Sequence, residues 1–310
     1  MPTVTILGPQ RRELLVREAL DDQSLTGRVA AITGGWEERE HEQALLEEHI
    51  KRPTAQLGLH ARLEQVLEED PPLQLALRDR NDRLRVAQTL YRRRLGRSLQ
   101  AVRELHGITV SRMELLPAER ADALRAVSYL DDHYLSQIRS IHGAFVDLWN
   151  PVDRPAVASI RAALEEELSE CCAVLIAGGN VGGLLDQMSL FNLRPLLEKI
   201  PVIAWSAGAM VLTDRIVLFH DSPPQGRGDP EVYDDGLGLA PSLVALPHAS
   251  ARLRLDDKVR VGILAERFKP ATCVALDEGC GLQWDGRAWS AFGRTRRLEA
   301  SGKLVGMVSP

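Results

Sequence analysis

At 310 residues the chain is long enough for one large domain or two small ones, and its 45% hydrophobic and 26% charged residues are those of a globular protein with a sizeable core. A net charge of −5 gives no argument for nucleic acid or an anionic membrane as the main partner. No apolar run approaches the roughly 20 residues of a membrane helix, and no basic-then-apolar leader opens the chain, so a cytoplasmic setting is expected. Cys171, Cys172, Cys273 and Cys280 lie in or beside expected core strands without a C-x-x-C pair. Free thiols are expected in a reducing compartment, with a Cys273–Cys280 disulfide as the alternative.

Residues 4–7 (Val-Thr-Ile-Leu) read as a strand closed by Gly8-Pro9, and Leu14, Leu15, Ala19 and Leu20 give residues 10–20 a helical spacing. Residues 28–33 read as a second strand ending at Gly34-Gly35-Trp36. A helix over 37–50 follows, its first turn acidic as the helix dipole favours, and a short third strand over 56–59. Such alternation predicts a parallel sheet with crossover helices.

From about 60 to 150 the strand signal disappears. Leu77, Leu84, Tyr91, Leu95, Val102 and Leu105 mark one amphipathic helix over 73–105. Leu124, Val127, Leu130, Tyr134, Ile138, Ile141, Phe145 and Leu148 mark another over 117–149. An antiparallel helical insertion over 60–150 is expected, splitting an α/β core of residues 1–59 and 151–310. Eight arginines crowd residues 78–97. They suit an anionic polymer, but interleaved aspartates and scarce aromatics favour a solvated, ion-paired face. An outer stripe of this hairpin is also a candidate homodimer surface.

The α/β pattern resumes after Pro151 and Pro155, with a helix over 156–168 and a strand over 172–176 that ends in Gly178-Gly179-Asn180. Residues 201–205 form an apolar strand that turns at Ser206, and residues 215–219 another. Residues 220–235, rich in Pro, Gly and Asp, read as a loop that could cover a substrate. Leu246-Pro247-His248 ends a strand, residues 256–268 form a helix, and residues 274–279 form a strand ending in Asp277-Glu278-Gly279. Residues 281–284 and 288–292, joined by Asp285-Gly286, read as a hairpin.

Ser206 turns with Ala204 two residues before it and Gly208 two after, the pattern of a nucleophile elbow. The plain alternative is a close-packed small-residue turn. A serine nucleophile needs a base, and His248, after a strand and a rigid proline, is the best placed of eight histidines, with His220 second. The base needs a carboxylate, for which Asp277, Glu278 and Asp221 are candidates. Strand alternation sends 277 and 278 to opposite sides, so one of them should face His248. Backbone N–H groups of Ala207 and of Gly179 or Asn180 are the candidate oxyanion hole. No H-E-x-x-H or comparable cluster occurs, and neither metal nor cofactor is expected.

Four pieces in this order, Gly178-Gly179-Asn180, Trp205-Ser206-Ala207-Gly208-Ala209, Pro247-His248 and Asp277-Glu278-Gly279, resemble the aspartyl dipeptidase (peptidase E) and cyanophycinase family. The resemblance covers roughly residues 1–60 and 150–310. It implies an α/β fold with a mostly parallel, flavodoxin-like sheet related to class I glutamine amidotransferases. It implies a Ser-His-Glu triad of Ser206, His248 and Glu278, an acyl-enzyme, and small peptides with an N-terminal aspartate as substrates. Asp221 matches an aspartate of peptidase E, and the acidic substrate implies nearby cations, for which Arg252, Arg254 and Arg227 are candidates. Ala249 stands where the family usually carries an aromatic residue. Two other readings are an esterase on a small metabolite and a non-catalytic scaffold acting through the helical insertion.

Overall fold

The computed structural model describes residues 2–42, 44–108, 114–221 and 228–307. The chain begins with β1 (Val4–Leu7), α1 (Val16–Asp22), β2 (Val29–Ile32), α2 (Ala44–Ile50) and β3 (Thr54–Gln56). The helices α3 (Leu59–Glu69), α4 (Pro71–Gly107) and α5 (Leu116–Trp149) follow. Next come α6 (Pro155–Ser169), β4 (Ala173–Ile176), α7 (Val181–Leu190), α8 (Arg194–Leu197), β5 (Val202–Trp205) and α9 (Ala207–Leu212). The strands β6 (Arg215–His220), β7 (Gly228–Asp235) and β8 (Leu243–Pro247) lead into α10 (Ala249–Arg252) and α11 (Lys258–Arg267). The chain closes on β9 (Thr272–Leu276), β10 (Cys280–Trp284), β11 (Trp289–Gly293), β12 (Arg296–Leu298) and β13 (Leu304–Gly306).

The main sheet has the order β11-β10-β1-β5-β4-β2-β3, parallel from β1 through β3 and antiparallel at the β10–β11 hairpin. This is the expected α/β architecture. Its central strands β1, β2, β4 and β5 are buried along their whole length, as both-face burial demands of apolar runs. Leu7 pairs with Trp205, Ala204 with Ile176, and Ile176 with Ile32, so the strands end level. The turns at Gly8, Ser206, Gly178–Gly179 and Gly34–Gly35 therefore gather at one edge, where parallel α/β sheets build their sites. A second sheet, β13-β12-β9-β8, carries His248 and Asp277 at the ends of its parallel pair β8 and β9. The Gly8 N–H donates to the Cys280 carbonyl at 2.9 Å, and a Cβ at Gly8 would lie 1.8 Å from the Asp277 carbonyl oxygen, so the two sheet ends abut.

Helices α4 and α5 pack as an antiparallel pair, and their buried faces join the same core cluster as the main sheet. The pin is a buried network. Arg267 of α11 donates twice to Asp131 of α5 at 2.7 Å and once to the Tyr91 hydroxyl of α4 at 3.0 Å. Tyr91 in turn donates to Asp131 at 2.7 Å and accepts from the Val232 N–H at 3.1 Å. All four cysteines are free. Among the described residues no helix is long and apolar enough to cross a membrane.

Several boundaries differ from expectation. The first helix starts at Val16, because Gln10 holds the preceding loop through the Leu15 N–H and the Gly8 carbonyl. The helix expected over 37–50 is a 3-10 turn, Gly34–Arg39, followed by α2; Glu37 breaks it at φ 56°. The third strand ends at Gln56 and not beyond it. Of the polar loop expected over 220–235, residues 222–227 lie outside the described residues, and residues 228–235 are strand β7 paired with β6. Its acidic residues looked like loop because their partners lie elsewhere: Asp229 pairs with Arg103, Glu231 with Arg92, Asp234 with His142 and Asp235 with Arg139. The arginine face of α4 is thus partly ion-paired, chiefly to β7 and, through Arg80, to Asp186. Leu148, expected inward, is 78% exposed at the end of α5.

Candidate active site

Ser206 sits between β5 and α9 at φ 53° and ψ −119°, a conformation that non-glycine residues rarely adopt. Only small neighbours permit it. A Cβ at Gly178 would lie 2.8 Å from the Ser206 Cβ, and one at Gly208 would lie 2.4 Å from the Ile176 carbonyl oxygen. These two positions need glycine for space, which is the physical content of the elbow pattern.

His248, at φ 57°, follows β8, and its N–H donates to the Leu276 carbonyl at 3.0 Å. That bond ties the histidine to the neighbouring strand. Its Nε2 lies 3.5 Å from the Ser206 Oγ, a long contact of the kind that tightens when substrate binds. Burial, then the charges of Arg252 and Arg11, push its pKa down to about 4, while Asp277 pulls the other way. The ring is therefore neutral, and able to accept a proton, across the physiological range.

The carboxylate whose charge reaches His248 is Asp277. It accepts from the Ser250 N–H at 2.9 Å and the Ser250 Oγ at 2.6 Å, and lies 3.6 Å from Arg296. Glu278 makes no hydrogen bond or ion pair among the described residues. Asp277 follows β9 beside the end of β8 that carries His248, and neither Asp277 nor Glu278 hydrogen-bonds His248 among the described residues. Of the candidate oxyanion donors, Ala207 opens α9, so its N–H has no acceptor within the helix. The Gly179 N–H has no acceptor among the described residues. Asn180 differs from expectation: its N–H donates to the Gly35 carbonyl at 2.7 Å, and its side chain caps α7 by accepting from the Gly182 and Gly183 N–H groups. Asn180 thereby shapes the turn and leaves Gly179 as the free donor. Gly179, at φ +121°, also allows the backbone to touch Gly35; a Cβ there would lie 2.1 Å from the Gly35 carbonyl oxygen.

The expected substrate cations divide. Arg252 is half-buried, forms no ion pair among the described residues, and has its pKa lowered by burial and by Arg11. Arg254 is exposed, 4.0 Å from Asp257. Arg227 lies outside the described residues. The carboxylate of Asp221 is buried and occupied: it accepts from Arg260 Nε at 2.8 Å and from the Arg254 N–H at 3.0 Å. Its own N–H donates to the Arg252 carbonyl at 2.8 Å, so Asp221 holds the segment that carries Arg252. His220 is half-buried and feels Arg252, which, after burial, lowers its pKa.

Sequence reasoning placed Gly34–Gly35 at the end of the second strand but assigned neither that turn nor Arg11 to the site. The turn carried a signal, since Gly-Gly ends β2 just as it ends β4, and adjacent strands ending alike bring two glycine pairs into contact. Arg11 carried only its position after the first parallel strand. Beside these groups opens a cavity of about 870 Å³, lined by Arg11, Leu14, Gly35, Trp36, Gly179 and Trp205 among others.

Among solved structures, the chain is similar to a peptidase from an acI-B1 Actinobacterium, at 12% identity and a TM-score of 0.47, over 99% of this chain and 97% of that one. It is also similar to a candidate peptidase E of Listeria monocytogenes EGD-e, at 16% identity and a TM-score of 0.32, over 43% of this chain and 64% of that one. No curated protein matches it. The family model of peptidase family S51 matches residues 125–291, more than half of the chain and the part that holds Ser206, His248 and Asp277. The chain belongs to peptidase family S51, the serine peptidases of the peptidase E kind.

Proposed function

We propose that the chain hydrolyses small peptides with an acidic N-terminal residue through an acyl-enzyme on Ser206. The observation that carries this reading is a serine on a strained elbow, 3.5 Å from a histidine whose pKa is held low. Ser206 Oγ attacks the amide carbonyl carbon as its proton passes to His248 Nε2. The carbonyl oxygen becomes an oxyanion facing the N–H groups of Gly179 and Ala207. The tetrahedral intermediate collapses, the C–N bond breaks, and His248 returns the proton to the leaving amine. Water, deprotonated by His248, then attacks the acyl ester and releases Ser206. Asp277 stabilises the imidazolium formed on the way, the part that the family resemblance gives to Glu278. Arg252 is the cation for the substrate carboxylate. We further assign 60–150 as an insertion into the α/β core that stands beside the catalytic edge, and a cytoplasmic setting. The test is hydrolysis of a panel of Asp-X dipeptides, their Ala-X counterparts and small esters. Cleavage of Asp-X, lost in Ser206→Ala, supports the reading. Turnover of esters alone supports an esterase, and turnover of nothing contradicts both.

A further inference from the structure

The cavity beside Gly179 has a chemistry that an aspartate alone does not use. Part of its lining is apolar: Trp205 is buried directly before Ser206, Trp36 is half-buried after the Gly34–Gly35 turn, and Leu14, Val16 and Leu46 join them, beside the polar Gln10, Glu48, His49 and Lys51. Leu14 is 41% exposed, so the wall faces open space rather than a packed core. Of the cations that line it, Arg39 is paired with Glu42 and Arg17 with Asp21, whereas Arg11 and Lys51 form no ion pair among the described residues. Arg11 lines the cavity, and its charge is among the causes that lower the pKa of His248 and of Arg252.

A cation without a carboxylate partner is balanced when an anion binds beside it. A chamber of this size with two tryptophans and apolar side chains in its lining, next to an oxyanion donor, is suited to a large side chain, since a side chain gains free energy by leaving water in proportion to its apolar area.

We propose that this cavity is the subsite for a large apolar or aromatic residue of the substrate, with Arg11 on its lining facing the neighbouring acidic group. The preferred substrates are then dipeptides that pair an aspartate with a bulky apolar residue. The assignment rests on the hydrolase reading above and adds its specificity. Trp36, Trp205 and Leu14 set the preference for bulk, and Arg11 sets the preference for charge.

The test compares kcat/KM for Asp-Phe, Asp-Leu, Asp-Ala and Asn-Phe with the purified full chain, alongside fluorophosphonate labelling of Ser206. The expected result is a preference for Asp-Phe over Asp-Ala of about tenfold or more, the discrimination that an apolar pocket supplies. Trp36→Ala should shrink that ratio at least about fivefold, carried mainly by KM, and Trp36→Phe should restore it. Arg11→Gln should shrink the ratio of Asp-Phe to Asn-Phe. A general loss of fold lowers all four substrates together and leaves the ratios alone, so the ratios separate specificity from damage. Equal kcat/KM across the Asp-X series in a protein whose Ser206 is labelled overturns the subsite and leaves the hydrolase standing. No labelling together with no cleavage overturns both.

Discussion

The pKa of His248 is the property on which catalysis at neutral pH most depends, and it can be moved. Burial comes first among its causes, then Arg252, then Arg11. The gap between about 4 and an ordinary 6.5 corresponds to ~3.4 kcal/mol at 1.36 kcal/mol per pH unit. The ring is only half-buried, and solvent screening leaves roughly half of this measurable. The rate of fluorophosphonate labelling against pH reads this directly, because the probe does not titrate. The wild-type acid limb should have its midpoint between about 4 and 5.5, below that of free histidine. Arg252→Gln removes a cation and should raise the midpoint by about 0.5 to 1 pH unit. The sign for stability follows from the same lowering. Above the unfolded value of about 6.5 the ring is neutral in both states, and between about 6.5 and 4 only the unfolded chain takes up the proton. This contribution to stability is therefore lost as pH falls through that window and levels off below it. A wild-type limb at or above 6.5, or one that Arg252→Gln leaves in place, would refute the electrostatic account.

Other substitutions test the geometry. Gly178→Ala places a Cβ 2.8 Å from the Ser206 Cβ and should cut the labelling rate at least about tenfold by displacing the nucleophile, with circular dichroism unchanged. Asp277→Asn should lower kcat by about tenfold to a hundredfold and move the pH profile, whereas Glu278→Gln should do so much less; the reverse ranking would return the role to Glu278. Asp131→Asn leaves the buried Arg267 without its counter-charge and should destabilise the chain by about 3 to 5 kcal/mol, seen as a lower midpoint in urea. A midpoint shift equivalent to under about 1 kcal/mol would show that the network does not anchor α4 and α5.

The parts of the fold that the sequence makes legible are those whose chemistry is local. The runs at β1, β4 and β5 are apolar and β-branched because both faces are buried, and the turn at Ser206 shows itself through Ala204 and Gly208. What escaped reading depends on partners far along the chain. Strand β7 looks like a polar loop until Arg92, Arg103, Arg139 and His142 supply its counter-charges. Asn180 looks like an oxyanion donor, yet its N–H is claimed by the Gly35 carbonyl, across from a neighbouring strand. Alternation separates Asp277 from Glu278 but does not say which side faces His248. Asp221 sits near the serine in sequence order, and only the packing of Arg260 shows that its carboxylate is already occupied.

Intact-mass analysis after fluorophosphonate treatment of the wild type, Ser206→Ala and His248→Ala tests the central claim most directly. The account predicts one adduct on the wild type, mapped to Ser206, none on Ser206→Ala, and labelling slowed by a factor of about 100 or more on His248→Ala. An adduct that persists on Ser206→Ala, or full-rate labelling without His248, would contradict it.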